Sequence, residues 1–361
     1  MSAQARGRGR AGKGGTGIPA QPSCPAGAWL DGRAVLAEKG LPACSRACAG
    51  GVSRQGGRSM ADTAAPQGAC RKAEGLAMPA PWPGPGPEPA PFVKWAGGKR
   101  QLLWLLCARA PARYGRYFEP FVGAGALLFA LRPERACVCD ANAQLVNCYR
   151  QLKADPRAVA SAIQAFDAVP CCRERYLALR ASYNEKLQAG GLDCECAALF
   201  IWLNRHCFNG LYRVNGKGLF NVPWNGRVKG PTASAGRLEA TGRWLREADV
   251  GLACGDFEQA CEGAGAGDFV YFDPPYVPLS KSASFTRYAR QDFGEADQER
   301  LAALFARLDA RGAKLLLSNS DAPLVRRLYR HWRIEAVDAR RSICRDAAKR
   351  TGRELLVANF P

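Results

Sequence analysis

The sequence predicts a doubly wound α/β fold with a mixed sheet, interrupted by an inserted segment of helices and a β-hairpin, and three observations carry that reading. From Phe92 onward, strand-length apolar runs alternate with helical periodicity. A Gly-x-Gly turn follows the first of those runs, at the kind of position where open α/β sheets bind ligands. Over residues 157–228 the alternation stops, and a helical stretch gives way to one rich in Gly, Asn and aromatics.

Residues 1–90 hold 17 Gly and 11 Pro but only seven Leu, Ile, Val and Phe together, a composition that cannot build a core, so they read as a disordered Gly/Pro/Ala-rich leader. The run Pro79 to Pro91 reads as a stiff linker. Of the net charge of +19, only +6 falls on the leader, and +13 belongs to residues 91–361. Such a balance excludes an acidic, solvating protein and points to a polyanionic partner.

Arg116–Phe121, Ala136–Asp140, Asp268–Phe272 and Lys314–Ser318 are runs of strand length bounded by turn or polar residues, and they suggest parallel pairing. Leu301, Leu304, Phe305 and Leu308 recur at helical spacing, one face of a helix laid on that sheet. Arg333–Val337 and Glu354–Phe360 read as two further strands joined by the basic stretch Arg340 to Arg353. The domain reading is therefore a discontinuous sheet domain, 91–150 with 250–361, and an insertion at 151–249.

Sixteen cysteines scattered over so long a chain read as reduced thiols, and with His206 and His331 as the two histidines no structural metal is expected. No uninterrupted apolar stretch of about 18 residues occurs, and the candidate signal segment Ala28–Ala37 is broken by Asp31 and Arg33, so a cytoplasmic protein is expected.

Four segments carry chemistry. Phe118 to Gly125 runs a strand into a glycine turn and the apolar helix Ala126–Leu131, and Asp140 ends the next strand, where a carboxylate accepts ribose hydroxyls or caps a helix. Asp273-Pro274-Pro275-Tyr276 follows the apolar strand Phe269–Phe272. Two prolines stiffen that loop and leave its carbonyls without ladder partners. Such a turn suits an aromatic amine: the Asp273 carboxylate and the Pro274 carbonyl each accept one N–H, and Tyr276 offers a stacking face. Lys94-Trp95-Ala96-Gly97-Gly98-Lys99 reads either as a helix start or as a place for Trp95 and Lys99 beside a cofactor carboxylate or a phosphate. Finally, no acidic residue lies between Glu195 and Glu239, while Arg205, Arg213, Lys217, Arg227, Lys229 and Arg237 interleave with aromatics, as on a nucleic-acid surface.

Placed in chain order, with the glycine loop before the basic insertion and the Asp-Pro-Pro-Tyr loop last, the four segments resemble the Dam-type DNA adenine-N6 methyltransferases of the D12 class, over residues 92–361. The matching pieces are Phe92–Lys99, Phe118–Gly125, Asp140-Ala141-Asn142, Leu203–Pro223, Asp273–Ser280 and Arg340-Arg341-Ser342-Ile343. The resemblance implies a Rossmann-like methyltransferase fold and S-adenosylmethionine as cofactor. Trp95 and Lys99 would lie near its amino-acid end, Phe121, Gly123 and Gly125 in the loop around it, Asp140 at its ribose and Phe257 at its adenine, with Asp273 bordering both cofactor and base. It also implies double-stranded DNA as partner and GATC as target. Phe208 would intercalate with Asn209 beside it, Leu211, Arg213 and Pro223 would read base edges, and Lys94 would help read the first base pair. Arg205 and Arg227 join the DNA-facing set, and no obligate protein partner is expected.

Three departures stand out: Phe208 replaces a common Tyr, one extra residue falls between Pro223 and Arg227, and the leader has no counterpart. Among alternatives, a cytosine-C5 methyltransferase would need a Cys nucleophile, but Pro170-Cys171 precedes a helix rather than following a sheet strand. Glutamine methylation uses a similar loop that begins with Asn, and a catalytically silent DNA-binding relative has no need of Asp273.

Overall fold

The computed structural model describes residues 87–361 apart from 96, 98, 228–229, 279–292 and 341–350. The leader up to residue 86, Lys229, Ser280 and Arg341-Ser342-Ile343 thus lie outside the described residues. The chain divides into two units, Met1–Cys70 and Arg71–Pro361, and everything described belongs to the second. Ala90 already sits on the folded body, its N–H and carbonyl bonded to the Thr241 hydroxyl at 3.3 and 3.4 Å.

Among the described residues seven strands form one sheet: β1 (Tyr117–Glu119), β2 (Ala136–Asp140), β3 (Val250–Cys254), β4 (Phe269–Phe272), β5 (Lys314–Ser320), β6 (Arg333–Arg340) and β7 (Thr351–Ala358), in the order β3-β2-β1-β4-β5-β7-β6. The first five pair in parallel, and β7 inserts antiparallel between β5 and β6, making the sheet mixed. Side chains alternate across it. Phe118, Val270, Phe272, Leu315 and Leu317 share a core with Leu301, Leu304, Phe305 and Leu308 of one covering helix, while Tyr117, Phe269, Tyr271 and Leu316 face the helices on the other side. Because β1 is flanked by β2 and β4, the direction of winding reverses there, the position at which open α/β sheets have a crevice beyond the carboxyl ends of their strands.

The helices on the second face begin with α1 (Leu103–Arg109), α2 (Ala126–Leu131) and α3 (Ala143–Ala154). They continue through α4 (Pro156–Asp167), α5 (Arg173–Gln188), α6 (Cys194–His206) and α7 (Ala235–Glu247), with a short hairpin between the last two. Asp155 caps α4 by accepting the N–H groups of Arg157 and Ala158, and Pro156 occupies its first turn, where no N–H is needed. From Cys196 to Asn204 every residue of α6 is buried, so this helix is the axis on which α3, α4 and α5 pack. Its core is continuous with that of the sheet: Tyr149 and Leu152 of α3 cluster with Ile163, Leu199 and Trp244. Gly242 allows α7 to reach the α3–α4 corner, because a Cβ there would lie 2.2 Å from the Leu152 carbonyl oxygen.

The remaining helices, α8 (Phe257–Ala260), α9 (Glu295–Ala310) and α10 (Pro323–Leu328), belong to the first face. Several boundaries differ from the sequence reading. β1 stops at Glu119 rather than Phe121, because Pro120 has no N–H to continue the ladder. β3 was not among the expected strands: it is a half-exposed edge strand containing a Gly, so it shows neither a fully apolar run nor clean alternation. β6 and β7 extend to the pair Arg340↔Thr351, well into the stretch read as a basic connection, because charged residues on the sheet's outer margin mask strand character.

Candidate functional site

After β1 the chain turns over the crevice. Val122 donates to the Cys139 carbonyl at 2.9 Å and Gly125 to the Val122 carbonyl at 2.7 Å. Gly123 and Gly125 have φ of +49° and +70°, and a Cβ on either would come within 2.7 Å of Trp95 or of the Tyr149 hydroxyl. Both glycines are therefore required twice, by backbone conformation and by space. Tyr149 also donates to the Gly123 carbonyl at 3.0 Å.

Asp140, at the end of β2, accepts Gly123 N–H at 3.0 Å on Oδ2 and Asn142 N–H at 2.9 Å on Oδ1. Capping of α3 falls instead to Asn142, whose side chain accepts from Gln144 and Leu145. Asp140 thus anchors the glycine loop and keeps one further acceptor position on each oxygen. Burial pushes its carboxyl up to about 6 against the pull of the two N–H bonds. Beside it, Phe121 stacks on Phe257 at 5.4 Å, and Phe293 meets Phe121 edge-on. Arg300 lies over Phe257 at 4.9 Å while bonded to Asp256 and Glu258, so the aromatic floor is held from outside.

The second loop leaves the buried strand β4. Lys99 Nζ meets Asp273 Oδ1 at 2.8 Å, donates to the Gly97 carbonyl at 2.7 Å, and sits 4.7 Å from the centre of the Tyr276 ring. Lys99 is 6% exposed and Asp273 20%. Burial drives the Asp273 carboxyl up to about 6, and the Lys99 ammonium opposes the rise. Four residues without a role in the sequence reading hold this loop: Gln298 donates to the Pro275 carbonyl at 2.9 Å, Asn319 accepts Val277 N–H at 3.2 Å, Ser320 donates to the Val277 carbonyl at 2.7 Å, and Glu354 accepts the Tyr276 hydroxyl at 2.7 Å. Among the described residues no donor meets the Pro274 carbonyl. Of the two loop carbonyls, that of Pro275 is therefore structural and that of Pro274 has no donor among the described residues.

Glu119, quoted in the glycine motif without a role, lies buried at the end of β1, accepts the Tyr117 hydroxyl at 2.9 Å, and is driven well above the usual carboxylate range by burial.

The DNA-facing candidates gather on and beyond the end of α6. Phe208 to Gly210 form a tight turn whose first N–H donates to the Pro223 carbonyl at 2.8 Å, and the Phe208 ring is 51% exposed. Asn209 is exposed in the left-handed region at φ +54°. Arg213 projects from the hairpin with its Nε bonded to Asn221 Oδ1 at 2.7 Å. Lys94 is exposed against the same turn, where a Cβ on Gly210 would sit 2.6 Å from its own Cβ. Pro223 is exposed, and Leu211 and Arg205 are half-buried. Arg227 is exposed beyond the hairpin, its N–H held by Asn225.

Trp95 bridges the two groups. Its ring covers Gly123 and stacks on Tyr212 and Phe200 at 6.0 and 6.1 Å. Cys171, the candidate of the cytosine-C5 alternative, is buried, and that burial pushes its thiol up, away from the thiolate a nucleophile needs.

A seven-stranded sheet with a single antiparallel strand, a glycine loop after β1 and an acidic loop after β4 defines a Rossmann-like methyltransferase. Residues 95–343 match the model of the D12 class N6 adenine-specific DNA methyltransferases, and the chain belongs to that family. It is 41% identical over 275 residues to the Type II methyltransferase M1.LlaDCHI of Lactococcus lactis subsp. cremoris, covering 75% of this chain and 95% of the relative. Identity is 36% over 271 residues to the DNA adenine methylase of Vibrio cholerae serotype O1, covering 74% and 95%. With the DNA adenine methylase of Escherichia coli it is 33% over 270 residues, covering 74% and 94%. No helix among the described residues is long and apolar enough to cross a membrane.

Proposed function

We propose that this chain transfers a methyl group from S-adenosylmethionine to N6 of an adenine extruded from double-stranded DNA, with GATC as the target. The observation that carries the proposal is the pair of acceptors on one stiff turn: the Asp273 carboxylate, held by Lys99, and the neighbouring Pro274 carbonyl, which no described donor meets. An exocyclic aromatic amine has two hydrogens and a lone pair delocalised into its ring. Accepting both hydrogens favours a pyramidal nitrogen with the pair free. Lys99 takes one face of Tyr276, and the opposite face serves the base.

The crevice residues suit the cofactor. Asp140 retains acceptor positions for two ribose hydroxyls, Phe121, Phe257 and Phe293 offer apolar surface for an adenine ring, and the Phe121–Gly125 backbone has no side chain at its two glycines. Lys99 has a third hydrogen for the amino-acid end, with Trp95 beside the loop. When bound, the cofactor supplies a methyl group made electrophilic by its sulfonium charge. The chain's own residues orient the amine, and alignment supplies the rate.

Extruding a base costs a few kcal/mol, on the order of one stacking step, which wedge insertion by the exposed Phe208 ring offsets, with Asn209 at the vacated position. Arg213, pre-aligned by Asn221, suits a guanine edge, and Leu211, Pro223 and Lys94 complete the reading set. Arg205 and Arg227 suit phosphates, in an insertion free of acidic residues from 196 to 238. The reading puts the enzyme on cytoplasmic DNA without an obligate protein partner.

The test is transfer of labelled methyl to adenine in GATC duplex, together with a map of methylated adenines in a host expressing the chain. A different motif would keep the chemistry and overturn the specificity. That second outcome has its own support in the extra residue between Pro223 and Arg227 and in the mixture of Type II methyltransferases and DNA adenine methylases among the relatives.

A further inference from the structure

Lys94 and Trp95 belong to no strand, yet the main chain of Lys94 is held as if it had a partner in a sheet. Asn204 Oδ1 accepts the Lys94 N–H at 2.8 Å, and Asn204 Nδ2 donates to the Lys94 carbonyl at 2.9 Å. The second hydrogen of the same Nδ2 goes to the Gly210 carbonyl, also at 2.9 Å. Asn204 lies in the last turn of α6, is 5% exposed, and has both amide hydrogens committed. One side chain therefore joins three segments: the helix that forms the axis of the insertion, the chain leading to Trp95 and Lys99, and the turn that presents Phe208 and Asn209.

Two neighbouring features make the joint rigid. Gly210 is left-handed at φ +65°, and its lack of a Cβ lets the turn touch the Lys94 side chain. One residue beyond Lys94, Trp95 stacks on Tyr212 of the insertion while covering Gly123 of the cofactor-side loop. A displacement of the turn relative to residue 94 is thus transmitted to the crevice.

We infer that Asn204 is a positioning residue which sets the wedge turn 208–210 in register with Lys94 and the crevice, so that base extrusion and the acceptor loop act on one alignment. The inference rests on the proposed DNA roles of Phe208 and Lys94.

Asn204→Asp tests it with almost no change of volume, because an oxygen then faces two carbonyls where an NH2 group donated. The expected readout is a fall of at least about tenfold in kcat on cognate duplex, about 1.4 kcal/mol of lost alignment. The fluorescence rise of 2-aminopurine at the target position should fall with it, while S-adenosylmethionine affinity, measured by equilibrium dialysis, stays within about twofold. Gly210→Ala, which strikes the same joint from the other side, should show the same pattern.

Wild-type turnover and fluorescence in Asn204→Asp would overturn the inference. So would a loss that tracks reduced cofactor binding and a lowered Tm, because Asn204 would then only hold the fold. If the wild-type protein itself gives no 2-aminopurine signal on cognate duplex, the extrusion reading fails first, and the inference falls with it.

Discussion

The Lys99 ammonium lies 2.8 Å from the Asp273 carboxylate and reaches it from a segment 174 residues earlier in the chain. This pair decides whether the acidic loop is ionised. Asp273 is buried at the end of β4, and the burial favours the neutral carboxyl, which has only one acceptor oxygen free of a proton. The neighbouring cation shifts the balance back.

Turnover should therefore depend on pH through the acidic loop. With the Asp273 carboxyl near 6, kcat/KM should fall as pH drops through about 6 and level off above it. In Lys99→Met the carboxylate loses its opposing cation, and the acid limb should move upward by about one pH unit or more. An unshifted limb, measured with saturating cofactor, would show that Lys99 does not hold the charge of Asp273.

Removing the acceptor itself should separate binding from chemistry. Asp273→Ala should retain DNA affinity within about twofold and lose about 100-fold or more in kcat, the scale on which a single positioned electrostatic partner acts. The mutant's DNA affinity by gel shift and its single-turnover rate give the two numbers. Turnover equal to wild type would remove Asp273 from the mechanism.

Stability should carry the signature of the second buried carboxyl. Asp140 has its folded-state carboxyl raised from 3.8 to about 6, so the folded protein binds a proton that the unfolded chain has released between those values. Its favourable contribution is complete below about pH 4 and is lost as pH rises through about 6. The difference in Tm between Asp140→Asn and wild type should accordingly shift in favour of the variant from pH 4 to pH 6, whatever its constant offset. A flat difference would mean that Asp140 titrates normally.

The glycine loop should not tolerate a methyl group. Gly123→Ala combines a φ of +49° with a Cβ 2.7 Å from the Trp95 ring, and strain of about 1–3 kcal/mol is expected at such a position. Trp95 must move, so cofactor affinity should drop at least about tenfold in a calorimetric titration, with a lower Tm.

Base reading by Arg213 should be distinguishable from phosphate contact. Arg213→Ala should cost about 1–3 kcal/mol on the cognate duplex and relax selectivity at one base pair. Uniform weakening across all sequences, with a shallower dependence on salt, would make it a phosphate contact instead. Asn221→Ala, which removes the 2.7 Å acceptor of Arg213 Nε and leaves the bond to the Asn221 carbonyl, should reproduce part of the loss.

The motifs were legible because each is local. Asp273 to Tyr276 and Phe121 to Gly125 are short runs in which prolines and glycines dictate the backbone, and the strands before them are apolar enough to be read as strands. The supporting residues were not legible for the opposite reason. Gln298, Asn319, Ser320 and Glu354 come from α9, β5 and β7, and nothing in their neighbours along the chain marks them as buried partners of the loop at 275–277. β3 escaped because an edge strand need bury only part of itself.

By itself, then, the sequence determined the alternation of elements, the two turns that face the crevice, the positive charge of the insertion and the family to which the chain belongs. Tertiary structure alone decided that Gln298 meets the Pro275 carbonyl, that Lys99 meets Asp273, and that Asn204 ties residue 94 to the turn at 208–210. Backbone conformation and hydrophobic periodicity are properties of neighbours along a chain, whereas the protonation of a buried acid and the pairing of a buried amide depend on groups that only folding brings within hydrogen-bond distance.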